Sequence, residues 1–91
     1  MTERVTVYYS GRVQGVGFRI TVKQLVAGYD VVGTVENLDD GRVKLVAEGE
    51  KLELQAFLEG IRDSGLGSLI REEEAIWGGA DNNFRGFEIR P

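Results

Sequence analysis

The stretch Gly11-Arg12-Val13-Gln14-Gly15-Val16-Gly17-Phe18-Arg19 constrains this chain more than any other. Three glycines fall within seven residues, and the run closes on an aromatic and an arginine. Before it, Val5-Thr6-Val7-Tyr8-Tyr9-Ser10 alternates, which predicts a strand over about 4–10. After it, Phe18, Val22, Leu25, Val26 and Tyr29 recur at helical spacing, which predicts a helix over about 18–27 that stops at Gly28. A glycine-rich connection from strand to helix can aim several backbone N–H groups at one point beside the positive end of a helix dipole, and so hold an anion. Arg19 falls in the first helical turn, where a cation opposes the dipole. A site that gathers positive features around one anion explains that placement better than helix stability does. The glycines alone fit a plain tight turn equally well. No Gly-Lys-Ser/Thr follows, so this is not a Walker A loop, and the spacing does not match the dinucleotide pattern G-x-G-x-x-G.

The rest of the chain supplies the scaffold. Val31 to Leu38 predicts a second strand, with Val31, Gly33, Val35 and Asn37 on one face. Asp39-Asp40-Gly41 is a hairpin signal, and Arg42 to Glu48 predicts the strand that returns from it. Leu54, Phe57, Leu58 and Ile61 mark the apolar side of a helix over about 50–63, which Ser64 to Ser68 ends. Leu69 to Trp77 predicts a fourth strand, although Glu72-Glu73-Glu74 breaks its alternation and is expected to be solvated. Gly78 to Asn83 predicts a loop and Phe84 to Arg90 a short last strand. Trp77 and Phe84 are expected to pack rather than to bind. The order β-α-β-β-α-β, with an added strand, predicts an α+β, ferredoxin-like sandwich: one antiparallel sheet with two helices on one face.

Residue types that are missing narrow the chemistry. The 91 residues include no His and no Cys. That excludes a thiolate nucleophile, a Ser–His pair, an imidazole base and any zinc site other than carboxylates alone. Catalysis would have to come from backbone donors, Arg or Lys, carboxylates and amides. Residues 1–47 carry six Lys/Arg against five Asp/Glu, whereas residues 48–91 carry five against ten. The acidic half argues against a nucleic-acid partner, which needs a basic face. No run approaches the ~18 apolar residues of a membrane span, and the first residues form no secretory h-region. A single domain over 1–91, cytoplasmic and monomeric, is the expectation, and Met1 and Pro91 suggest a complete chain.

The glycine stretch closely resembles the signature of the acylphosphatases, small enzymes that hydrolyse carboxyl–phosphate mixed anhydrides. Gly33-Thr34-Val35-Glu36-Asn37-Leu38-Asp39-Asp40-Gly41-Arg42-Val43 resembles the second signature of that family, and the eighteen-residue step from Arg19 to Asn37 agrees with it. The resemblance is good over about residues 5–48 and loose beyond. It implies an acylphosphate phosphohydrolase that uses no metal, no cofactor and no phosphoenzyme, acting on a small acyl phosphate. It implies that Arg19 binds the phosphate and Asn37 positions the water, as the catalytic pair. The N–H groups of Gln14, Gly15, Val16, Gly17 and Phe18, together with Arg19, would form the phosphate-binding cradle. Thr34 stands where an aromatic is common, Tyr29-Asp30 where leucine-glycine is usual, and Gly65-Leu66 where Gly-Pro is usual.

Two other readings stay open at this point. One is a non-catalytic small-anion-binding or regulatory module on the same fold. The other is a domain like the N-terminal region of the hydrogenase-maturation carbamoyltransferases. An RNA-binding surface is disfavoured, since the third strand has no aromatics and the pI is about 4.8.

Overall fold

A computed structural model describes residues 2–91. Its elements are β1 (Thr2–Gly11), α1 (Phe18–Val26), β2 (Val31–Asn37), β3 (Val43–Glu50), α2 (Lys51–Asp63), a 3-10 turn (Gly67–Leu69), β4 (Ile70–Gly79) and β5 (Phe87–Arg90). The strands form one sheet in the order β4-β1-β3-β2-β5. β3 lies between β1 and β2 and runs antiparallel to both, and β4 runs antiparallel to β1. This is the ferredoxin-like α+β arrangement that the order of elements predicts.

The alternation along the strands sets the two faces. Val5, Val7 and Tyr9 of β1, Val31 and Val35 of β2, and Val43, Leu45 and Ala47 of β3 are buried in one core with Phe18 and Val22 of α1 and Leu54, Phe57, Leu58 and Ile61 of α2. Each such large apolar side chain contributes about 1.5–3 kcal/mol relative to exposure. Tyr29 adds to this core, with its ring 5.4 Å from that of Phe57. Its hydroxyl fills the space beside Gly60, where any side chain would collide with it.

β5 departs from a purely antiparallel sheet, because it pairs parallel to β2. The cause is the path of residues 80–86. β4 finishes beside the start of β1, at the end of the sheet where β2 also starts. The chain crosses the helix-free face along that end and emerges at the opposite edge, where it can only run alongside β2 in the same direction. This crossing also explains why Phe84 lies outside the last strand. It sits under the Arg4 guanidinium, 5.4 Å from it, before pairing begins.

The crossing buries residues that alternation would leave in water. Thr34, Val46 and Glu48 point away from the helices, yet they are 6%, 8% and 1% exposed. Glu48 is the anchor. One of its oxygens accepts from Arg4 Nε at 2.8 Å and from the Asp81 N–H at 3.0 Å, and the other accepts from the Asn82 N–H at 3.0 Å. Arg4 also reaches the Asp81 carboxylate at 3.1 Å. Burial alone would raise the pKa of the Glu48 carboxyl. The Asp81 N–H, the Arg4 guanidinium and the Asn82 N–H outweigh it and hold the group below the usual glutamate range. Of the Glu72-Glu73-Glu74 triplet, Glu72 and Glu74 are solvated as expected. Glu73 faces the helices and pairs with Arg62 at 2.7 Å. Trp77 packs only in part, since it is 37% exposed with Lys51 Nζ 5.6 Å over its ring.

Candidate active site

The glycine loop is pinned at three points and open between them. Val13 is buried in the core. The Gln14 amide donates to the carbonyls of Leu38 at 2.8 Å and Arg42 at 2.9 Å, one on each limb of the β2–β3 hairpin. Phe18 is buried with its ring 5.2 Å from Tyr9. Gly15, Val16 and Gly17 lie exposed between these anchors. Gly15 and Gly17 have φ +75° and +80°, and the space beside each α-carbon is empty. A side chain there would fit but would cost about 1–2 kcal/mol of backbone strain. Left-handed residues alternating with ordinary ones are the backbone pattern from which anion nests are built.

The loop runs directly into α1. Gly17 caps the helix without a side chain, and Thr21 N–H makes the first helical bond to the Gly17 carbonyl at 3.0 Å. Among the described residues, the N–H groups of Gln14 to Phe18 donate to no protein acceptor. The first turn of α1 has no acidic residue, so nothing on it competes for these donors.

Arg19 is half-buried in that first turn. It donates from Nη1 to the Arg90 carbonyl of β5 at 3.2 Å. One turn on, Lys23 donates to the Phe87 carbonyl at 3.3 Å. Arg90 is in register with Glu36, the residue before Asn37. Gln14 holds Leu38, the residue after Asn37. The two ties therefore bracket Asn37 and draw the loop, the start of α1 and the end of β2 together. The Asn37 side-chain oxygen is buried and accepts no hydrogen bond. A buried acceptor without a donor costs about 1–3 kcal/mol.

Asp40 of the hairpin turn has structural work. Asp40 accepts from the Arg42 backbone N–H at 3.1 Å and from its Nε at 2.8 Å, and these contacts lower its pKa. Among the described residues no group of three or more His, Cys, Asp or Glu could hold a metal ion. A surface groove lies between α2 and β4, lined by Gln55, Leu58, Arg62 and Trp77, away from this loop.

The structure thus brings Gln14 to Phe18, Arg19 and Asn37 to one end of the sheet. It adds a brace role for the Gln14 side chain. Sequence reasoning missed the carbonyls of Arg90 and Phe87 as partners of Arg19 and Lys23, and backbone carbonyls leave no residue-type signal. Glu48 was missed as well, because strand alternation alone assigns it to the solvent side.

A sequence profile of the family described as Acylphosphatase matches residues 5–89. An acylphosphatase of Rubrobacter xylanophilus is 43% identical over 93 aligned positions, covering 98% of this chain and 81% of the relative. The crystal structure of acylphosphatase from Bacillus subtilis superposes with a TM-score of 0.88 at 31% identity, covering 98% of this chain and 99% of that one. Full-length HypF in the phosphate- and nucleotide-bound form superposes with a TM-score of 0.85 at 25% identity. That match covers all of this chain and 12% of HypF.

Proposed function

This chain belongs to the acylphosphatase family, and from that premise we propose that it hydrolyses acyl phosphates to carboxylate and phosphate without a metal. The loop N–H groups of Gln14 to Phe18 and the Arg19 guanidinium bind the phosphoryl oxygens. Asn37 holds the attacking water. The observation that carries this reading is the convergence of the open loop and Arg19 around Asn37, which the Gln14 and Arg19 ties bracket.

The chemistry suits the residues available. The carboxylate of a mixed anhydride is a good leaving group, so no nucleophilic side chain is needed. Water oxygen bonds to phosphorus as the bond to the acyl oxygen breaks, and the carboxylate leaves with the electron pair. The water's proton passes to a phosphoryl oxygen of the substrate, which replaces the missing histidine base. Charge spreads over the equatorial oxygens in such a transition state, where fixed donors act most strongly. Each hydrogen bond to a charged group contributes about 1.5–3 kcal/mol, so four or five account for most of the required stabilisation. Asn37 is neutral and both accepts and donates, so it can orient water beside an anion that would repel a carboxylate. All these groups come from one chain, as a single domain acting as a monomer requires.

Hydrolysis of benzoyl phosphate in buffer with excess EDTA tests this. Turnover unaffected by the chelator is expected. Activity that requires added metal would contradict the metal-free route. Phosphate binding with no turnover would favour an anion-binding module.

A further inference from the structure

Glu48 lies on the helix-free face, outside the proposed chemistry, and it is the most thoroughly enclosed charged side chain among the described residues. Its carboxylate accepts two successive backbone N–H groups, from Asp81 and Asn82, at 3.0 Å each. Those residues belong to the crossing segment that delivers β5. The segment is held again where the Gly33 N–H donates to the Gly86 carbonyl at 2.9 Å. β5 is only four residues long and lies at a sheet edge. It is secured by pairing with β2, by the Phe57–Phe87 edge contact at 6.1 Å, and by the crossing segment that feeds it. Its last residue, Arg90, supplies the carbonyl that orients the Arg19 guanidinium. Lys23 ties the same strand to α1 through Phe87.

We infer that Glu48 is a positioning residue for Arg19: by clamping the crossing segment it fixes β5, and β5 holds the phosphate-binding guanidinium in its working direction. The inference rests on the reading of Arg19 as the phosphate-binding cation. It follows from the length of the lever. A four-residue edge strand has few bonds of its own, and the segment before it meets β2 through the single Gly33–Gly86 backbone bond. Without the clamp, the Asp81 and Asn82 N–H groups exchange a fixed charged acceptor for water. The Arg90 carbonyl then no longer has one position. Arg19 keeps its charge but loses its brace, so it must be ordered at substrate binding, which costs side-chain entropy. Arg4 belongs to the same clamp through its bonds to Glu48 and Asp81.

A double-mutant cycle separates positioning from plain destabilisation. kcat/KM for benzoyl phosphate is measured for the parent, E48A, R19A and the double variant, all at a temperature where circular dichroism shows them folded. E48A is expected to lower kcat/KM about tenfold in the parent background, and by less than about twofold in the R19A background. E48Q, which keeps the shape and one acceptor, is expected to fall between parent and E48A, and it carries the same cycle if E48A does not fold. Equal losses in both backgrounds, or no loss in the parent background, overturn the positioning role. Unchanged turnover in R19A itself would overturn the site reading instead, so the two failures are distinguishable. Amide hydrogen exchange gives a second readout: faster exchange at Gly33 and along 87–90 in E48A is expected, and unchanged protection there contradicts the clamp.

Discussion

R19A is expected to turn over benzoyl phosphate with kcat/KM lower by about 10³ or more, as for other arginines at phosphoryl-transfer sites. That factor corresponds to about 4 kcal/mol of transition-state stabilisation. The size follows from where Arg19 sits. It stands on the first turn of α1, beside loop N–H groups with no protein acceptor, and its guanidinium is already directed by the Arg90 carbonyl. In the proposed site a guanidinium there would answer two or three phosphoryl oxygens with a full charge, which neutral N–H groups cannot replace. Removing it also removes a cation from a helix start, a change that favours α1 slightly. That gain partly offsets the lost bond to the Arg90 carbonyl, so R19A is expected to lose little stability. Steady-state kinetics alongside thermal melting check both halves. An inactive R19A that is also strongly destabilised would point to a structural role, and full activity would remove Arg19 from the site.

N37A is expected to lower kcat by about 10²–10³ with a smaller change in KM, the size found when one oriented polar group at a reacting centre is removed. Asn37 ends β2 in register with Val43, and its backbone is fixed by that pairing. Its side-chain oxygen is buried without a donor. Because the water enters only at the chemical step, its loss should appear in kcat more than in substrate binding. N37A should also relieve the unsatisfied acceptor and so cost little stability. A large rise in KM at unchanged kcat would mean that Asn37 binds the phosphoryl group rather than the water.

Much of this was legible from residue order. The spacing of Val5, Val7 and Tyr9, and of Leu54, Phe57, Leu58 and Ile61, encodes which faces are buried, because both sets face one continuous core. The Asp39-Asp40-Gly41 signal locates the hairpin that Gln14 grips. The two glycine and asparagine motifs point to the same end of the sheet. The crossing segment was not legible. Gly78 to Asn83 reads as an ordinary polar loop, since its attachment depends on a carboxylate more than thirty residues earlier in the chain. The parallel pairing of β5 follows from that path and from nothing within Phe87 to Arg90. Glu73 is a different case: its register with Tyr9 places it on the helix side, where Arg62 pairs with it, and the charge of the acidic run masks that alternation. Long-range polar pairs obey no local period, and they hold the parts of this fold that periodicity leaves open.

The central claim is that the loop from Gln14 to Phe18 cradles a phosphoryl group. Its most direct test is a titration with inorganic phosphate, followed by amide nitrogen–proton NMR shifts in the parent and in R19A. In the parent, the largest shifts are expected at Gly15, Val16, Gly17, Phe18 and the Asn37 side-chain amide, with saturation. In R19A the same groups should require far higher phosphate to move. Shifts centred elsewhere, for example on the groove between α2 and β4, or a titration indifferent to Arg19, would contradict the account.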